Sequence, residues 1–154
     1  MDNEQLFSLC GMVAMFGWAV LIFAPRWQLG TRWIAPVFLP LIIAAVYVYL
    51  LMTNAGAPQG GGFGSLHAVQ LLFSDERVLL AGWIHYLAFD LLVGAWELRD
   101  AQRLGLHHLL LVPCLGATFM VGPAGLLLYW VVRTVHQRFF PARDNEPSRP
   151  VPSA

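Results

Sequence analysis

Arg77–Asp100 reads RVLLAGWIHYLAFDLLVGAWELRD, and its reading decides the fold. The run from Val78 to Leu98 is almost continuously apolar over 21 residues. As a helix it would be about 31 Å long, enough to cross the hydrocarbon core of a bilayer. Inside that run sit His85, Asp90 and Glu97. An ionisable group near the middle of a bilayer costs roughly 2.5–3.5 kcal/mol on insertion scales. A segment that keeps such groups at that depth points to a working site.

The rest of the chain agrees with a membrane reading. Its 154 residues are 58% hydrophobic and 12% charged, where soluble domains average about 25% charged. A soluble fold of this size exposes too much of its surface to hide so many apolar side chains. The net formal charge is zero. With no strongly basic patch, nucleic acid is not an expected partner. Cys10 and Cys114 fall in apolar segments without CxxC or zinc-ligand spacing, so both read as small buried apolar side chains.

The expected fold is all-α: an integral membrane four-helix bundle with spans at about 6–24, 33–53, 78–98 and 105–133. Together they form one membrane domain over 1–135. The start, MDNEQ, lacks the positive charge of a secretory signal, so the first apolar run reads as a retained span that ends at Pro25. In the second span Pro36 is tolerable near the start, and Pro40 should kink the helix. Between the second and third spans lies the Gly-rich loop AGAPQGGGFG at Ala55–Gly64. A short interfacial helix over Ser65–Phe73, capped by Ser65, follows it. In the fourth span Pro113 and the GPAG turn at Gly122–Gly125 interrupt the run and can split it into half-helices. The Pro- and Arg-rich tail, 136–154, is expected to be disordered. Four spans place both termini on one side with five arginines (Arg77, Arg133, Arg138, Arg143, Arg149) against four (Arg26, Arg32, Arg99, Arg103). That count favours cytoplasmic termini by a single residue.

At about 100° per residue, Trp83, Asp90 and Glu97 line one stripe with Tyr86 and Gly94 on it. His85 points about 140° away from Asp90, so the two cannot easily touch on a regular helix. Asp90 lies about 3 Å from the segment's centre along the axis, and Glu97 about 13 Å, near the interface. Asp90 is the leading site residue: a carboxyl buried without a partner favours its neutral form and can donate a proton. The competing reading is an interhelical hydrogen bond to a carbonyl freed by Pro40, Pro113 or Pro123. Glu97 is expected to snorkel to the interface. A metal alternative would use Glu97, Asp100, His107 and His108 near one membrane face, but HEXXH and the histidine clusters of membrane di-iron oxygenases are absent. No metal site and no particular cofactor is assigned.

GWIHYLAFDLLVGAWELRD, the Pro113–Thr118 stretch and GPAGLLLYWVVR together resemble the abscisic-acid-deficient-4-like family of membrane proteins. The resemblance runs from about Leu6 to Arg133. It rests on Trp83, His85, Tyr86, Asp90, Gly94 and Trp96, then Gly122, Pro123, Gly125 and Tyr129, with Phe63–Leu66 and Val69 in the loop before them. Plant members tend to have Arg then Trp after the Val-Gly pair; this chain has Ala95–Trp96–Glu97. Plant members are associated with forming neoxanthin from violaxanthin, an isomerisation in which carbon loses a proton and an epoxide oxygen gains one. The resemblance therefore implies acid/base isomerisation of a carotenoid, isoprenoid or other lipid. Asp90 would be the acid and His85 the base or relay. Trp83, Tyr86, Trp96, Glu97, Phe63 and Ser65 would surround the substrate, and Gly94, Gly122, Pro123 and Gly125 would be structural. The competing class is a non-catalytic pigment- or lipid-binding protein or assembly factor. Expected partners are the lipid bilayer, a hydrophobic small molecule and further copies of the chain, in a bacterial inner membrane.

Overall fold

The structure is a computed structural model that describes residues 1–53, 56 and 58–140. Among the described residues all regular structure is helical. Helix α1 (Asn3–Phe23) opens on a reciprocal cap. The Asp2 carboxylate accepts from the Gln5 amide at 2.7 Å, and the Gln5 side chain accepts from the Asp2 amide at 3.2 Å. It stops at Ala24, which Pro25 pushes out of helical geometry.

The second long helix starts three residues before the expected 33. Its first stretch, Gly30–Phe38, is wound as a π-helix and runs directly into α2 (Leu39–Thr53). Pro36 and Pro40 each lack the amide an α-helix needs. The wider winding lets Leu39 N–H reach Ile34 O, so much of the backbone there stays bonded.

Helix α3 (Leu66–Leu72) is capped by Ser65, whose hydroxyl accepts from the Ala68 amide at 3.1 Å. The Gly-rich stretch before it lies partly outside the described residues, at Ala55 and Ala57. Helix α4 (Glu76–Arg103) is capped by Asp75, whose carboxylate accepts from the amides of Arg77 and Val78 at 3.0 Å. Its 28 residues make a rod of about 42 Å. Leu80, Ile84, Leu87, Leu91 and Leu98 bury the face it turns to α1 and α2.

The stretch 105–133, expected as one span, is two helices, α5 (His108–Val121) and α6 (Pro123–Phe139). Gly122 between them takes φ +46°, a conformation open to glycine and strained for other residues. Pro123 has no amide to continue the earlier helix. The chain then turns back. Along α5, Thr118 meets Glu97 and Gly122 meets Asp90. Along α6, Tyr129 and Arg133 meet Asp100, and His136 Nε2 lies 3.1 Å from Leu104 O. Helix α5 therefore runs from the Arg103 end of α4 to its middle, and α6 returns to the end where α5 began. The 14 residues of α5 reach about 21 Å, short of a bilayer core. Helix α6 runs through Phe139, so it takes in the first residues of the expected tail; 141–154 lie outside the described residues.

The core reflects this arrangement. At the N-terminal end of α4 one buried cluster holds Leu6, Cys10, Ile43, Leu50 and Ile84, all from α1, α2 and α4. At the other end a second cluster adds Leu111, Leu115 and Tyr129 from α5 and α6. The hairpin thus covers only half the length of α4. Three helices are long and apolar enough to cross a membrane: Asn3–Phe23, Gly30–Thr53 and Glu76–Arg103. Because α6 turns back, the arginines no longer divide evenly. Of the seven among the described residues, Arg26, Arg32, Arg99, Arg103, Arg133 and Arg138 lie at the hairpin's open end, and Arg77 alone lies at the other.

Candidate functional site

Asp90 sits at the midpoint of α4, where the tip of the hairpin meets it. A Cβ built on Gly122 would lie 3.1 Å from Asp90 Oδ1, so the bare glycine backbone lets the turn close onto the carboxyl. Asp90 Oδ2 is buried with no hydrogen-bond partner. One turn earlier, the Tyr86 hydroxyl lies within interaction range of Asp90 and donates to Phe119 O at 3.3 Å. The carbonyl that Asp90 was expected to bond in the competing reading is not engaged.

The stripe continues toward the hairpin's open end. Gly94 leaves room for the Trp18 ring, which a Cβ would meet at 2.5 Å, and Trp18 stands edge-on to Phe119. Glu97 follows, with no exposed surface. Its Oε1 accepts from the Thr118 hydroxyl at 2.9 Å, and its Oε2 has no partner. The expectation that Glu97 snorkels to the interface is therefore corrected. Helix α5 lies across it, and Gly125 of α6 packs onto Thr118 from behind. A helix taken alone shows depth but not what covers a face.

Beyond Glu97 the polar line ends in an ion pair. Asp100 Oδ2 accepts from Tyr129 Oη and Arg133 Nε, each at 2.7 Å. The Arg133 guanidinium also lies over the Trp130 ring, 4.8 Å from its centroid. Trp96 packs edge-on to Tyr129 and beside Trp130, so it supports this pair and not Asp90. Asp100→Ala is expected to destabilise the protein by about 1–3 kcal/mol, because it strands two partly buried donors. Asp100→Asn keeps an acceptor for Tyr129 and should cost less. Thermal unfolding in detergent checks both.

The structure does not bring His85 to Asp90. His85 is exposed, stacked on Phe89 with centroids 4.4 Å apart and 5.7 Å from the Tyr47 ring. The angular separation read from the sequence holds, and the two residues face different surroundings. Trp83 is on the Asp90 side: its ring stacks on Phe7 at 5.9 Å and lies 5.5 Å from Tyr86. With Phe7 and Leu79 it lines a cleft of about 310 Å³ between α1 and α4. Phe63 is 85% exposed, and Ser65 serves as the α3 cap. That segment meets α4 through Phe73 at Gly82, two turns from Asp90.

The residues of the metal alternative are dispersed. Glu97 binds Thr118, Asp100 binds Tyr129 and Arg133, and His108 Nε2 lies 2.8 Å from Ile22 O. Among the described residues no group of three or more His, Cys, Asp or Glu is placed to hold a metal ion. Cys10 and Cys114 are both free and buried.

The model of one protein family, ABA DEFICIENT 4-like, matches residues 5–129. The chain belongs to the ABA DEFICIENT 4-like family. No curated protein and no solved structure matches it. The ABA DEFICIENT 4-like match takes in the whole Trp83–Glu97 stripe, the Gly122 turn and Tyr129, and it stops short of Arg133. Three members of the polar line were not singled out as site residues from the sequence of this ABA DEFICIENT 4-like chain, although Tyr129 is among the residues that carry the resemblance. Thr118 is a lone hydroxyl four residues before Gly122, and Tyr129 and Arg133 stand one turn apart on α6. Polar side chains at helical spacing inside apolar runs were the available signal.

Proposed function

We propose that this ABA DEFICIENT 4-like protein is an integral membrane protein that acts on a carotenoid, isoprenoid or other lipid by acid/base isomerisation, with Asp90 as the proton donor. Three spans and a half-depth hairpin make up its membrane domain, in place of four full spans. The observation that carries the reading is the unpartnered, buried Asp90 Oδ2 at the hairpin tip. A buried carboxyl oxygen without a hydrogen-bond partner at mid-helix is a costly arrangement. Above the tip the hairpin does not cover α4, and Tyr86, Trp83 and Phe7 form an aromatic track to the cleft at its N-terminal end. A long apolar ligand entering from the lipid would lie along that track with one polar end at Asp90.

An isomerisation transfers no net proton. A neutral Asp90 can give its proton to a ligand oxygen, such as that of an epoxide, as the C–O bond breaks. The carboxylate so formed can take a proton from carbon as the new C=C forms, which returns it to the neutral state. His85 is not needed for this cycle, and Glu97, on the same face, supplies a second carboxyl. Among the described residues the arginine distribution, six to one, supports an orientation with the hairpin's open end in the cytoplasm of a bacterial inner membrane and the N-terminus outside.

The test expresses wild type, Asp90→Asn and His85→Ala in a host with a defined isoprenoid pool and profiles the extracts by mass spectrometry. Asp90→Asn should abolish the product, and His85→Ala should leave it near the wild-type level. A folded Asp90→Asn variant with an unchanged profile sinks the proposal. A second reading, non-catalytic lipid or pigment binding, is favoured by the absence of Asp90 from the lining of the cleft between α1 and α4. In that case a ligand co-purifies chemically unchanged with both wild type and Asp90→Asn.

A further inference from the structure

At the hairpin's open end the turn after α1 folds against the last turns of α4. Gln102 Nε2 donates to Pro25 O at 2.9 Å and ties the two together. The Thr31 hydroxyl donates to Trp27 O at 3.1 Å, and Gly30 lies under the Trp27 ring, which fixes the turn's path. Between these elements opens a cleft of about 730 Å³. Arg26 and Arg32 line it from the turn, Arg99 and Arg103 from α4, with Gln28 and Gln102 between them.

No carboxylate lines this cleft. The nearest on α4, Asp100, is committed to Arg133 and Tyr129. Among the described residues the Arg133–Asp100 pair is the only salt bridge, so none of the four cleft arginines is in direct ion-pair contact with a described carboxylate. Four like charges around one cavity repel one another, and an anion placed among them relieves that repulsion. A rule of charge bias across a membrane asks for arginines in the flanking turns. It does not ask that arginines from two separate elements converge on one braced cleft.

We propose that this cleft binds a phosphate- or diphosphate-bearing anion. Guanidinium groups match phosphate oxygens through paired hydrogen bonds, and Gln28 and Gln102 offer neutral donors beside them. The site rests on the membrane reading above only for its surroundings: at the end of three spans the anion is either a phospholipid headgroup or a free phosphate from water. It is separate from Asp90, which faces the hairpin.

The experiment uses the full chain in neutral detergent. Native mass spectrometry measures retention of phosphatidylglycerol against phosphatidylcholine, and calorimetry measures inorganic diphosphate. Wild type should retain phosphatidylglycerol selectively or bind diphosphate. Arg32→Gln with Arg99→Gln should weaken that binding roughly 30-fold, at about fivefold per charge. Arg138→Gln, outside the cleft, should leave it unchanged. Retained lipid that diphosphate does not displace identifies a headgroup site, and displaced lipid identifies a site for the phosphate group itself. Should the double variant not fold, Arg99→Lys keeps the charge, loses the fork and should still bind more weakly. The proposal is overturned if wild type shows neither preference, or if a folded double variant binds as wild type does.

Discussion

Replacing Gly125 with alanine is expected to open the α5–α6 hairpin. The new Cβ would lie 2.0 Å from Thr118 N and 2.4 Å from Thr118 Cα. Both atoms are backbone in the last turn of α5, so no rotamer change relieves the overlap. The helices must separate, at a cost of about 3 kcal/mol, the upper end for over-packing. Separation also removes Thr118 from Glu97 and leaves that carboxyl without a hydrogen bond. Cys114 reports the result because it is fully buried on α5, whereas Cys10 is buried between α1 and its neighbours. Maleimide labelling in detergent should spare both thiols in wild type and modify Cys114 first in Gly125→Ala. Equal protection in the variant, with an unchanged melting temperature, would contradict the close packing.

The second large effect is all-or-none. Single cysteines introduced at Glu4, Gln28 and Gln137, all exposed positions, should sort into two groups. An impermeant thiol reagent added outside intact cells should label Glu4→Cys and spare Gln28→Cys and Gln137→Cys until the membrane is opened. A chain with four full spans would instead group Gln137 with Glu4. Labelling of Gln137→Cys together with Glu4→Cys would overturn the half-depth hairpin.

Three of the long helices were legible because hydropathy over about 20 residues reports length directly. The hairpin was not. Gly122 and Pro123 announced a break, but an apolar stretch that crosses and one that turns back have the same composition. What decides between them are contacts such as His136 with Leu104 O and Gly125 with Thr118, which no local pattern encodes. The π-helical winding at Gly30–Phe38 shows the same limit: two prolines four residues apart signalled irregularity, not its form. At the site, the central depth of Asp90 and the separate direction of His85 followed from rise and angle per residue. The burial of Glu97 did not, since it depends on a helix 21 residues away in sequence.

The dependence of Glu97 on that helix bears on how the chain enters its membrane. The chain emerges N-terminus first, so α4 meets the membrane before α5 and α6 can dock on it. Asp90 and Glu97 would then meet lipid bare, at roughly 2.5–3.5 kcal/mol for Asp90 near the helix centre and less for Glu97 toward the helix end. Helix α4 is therefore a weakly committed segment until the hairpin docks, and the Thr118 and Tyr129 hydroxyls arrive with it. In the proposed arrangement the hairpin enters and leaves by one face, so Arg133 and Arg138 would not be carried across the bilayer. Docking of α5 and α6 thus holds α4 in place.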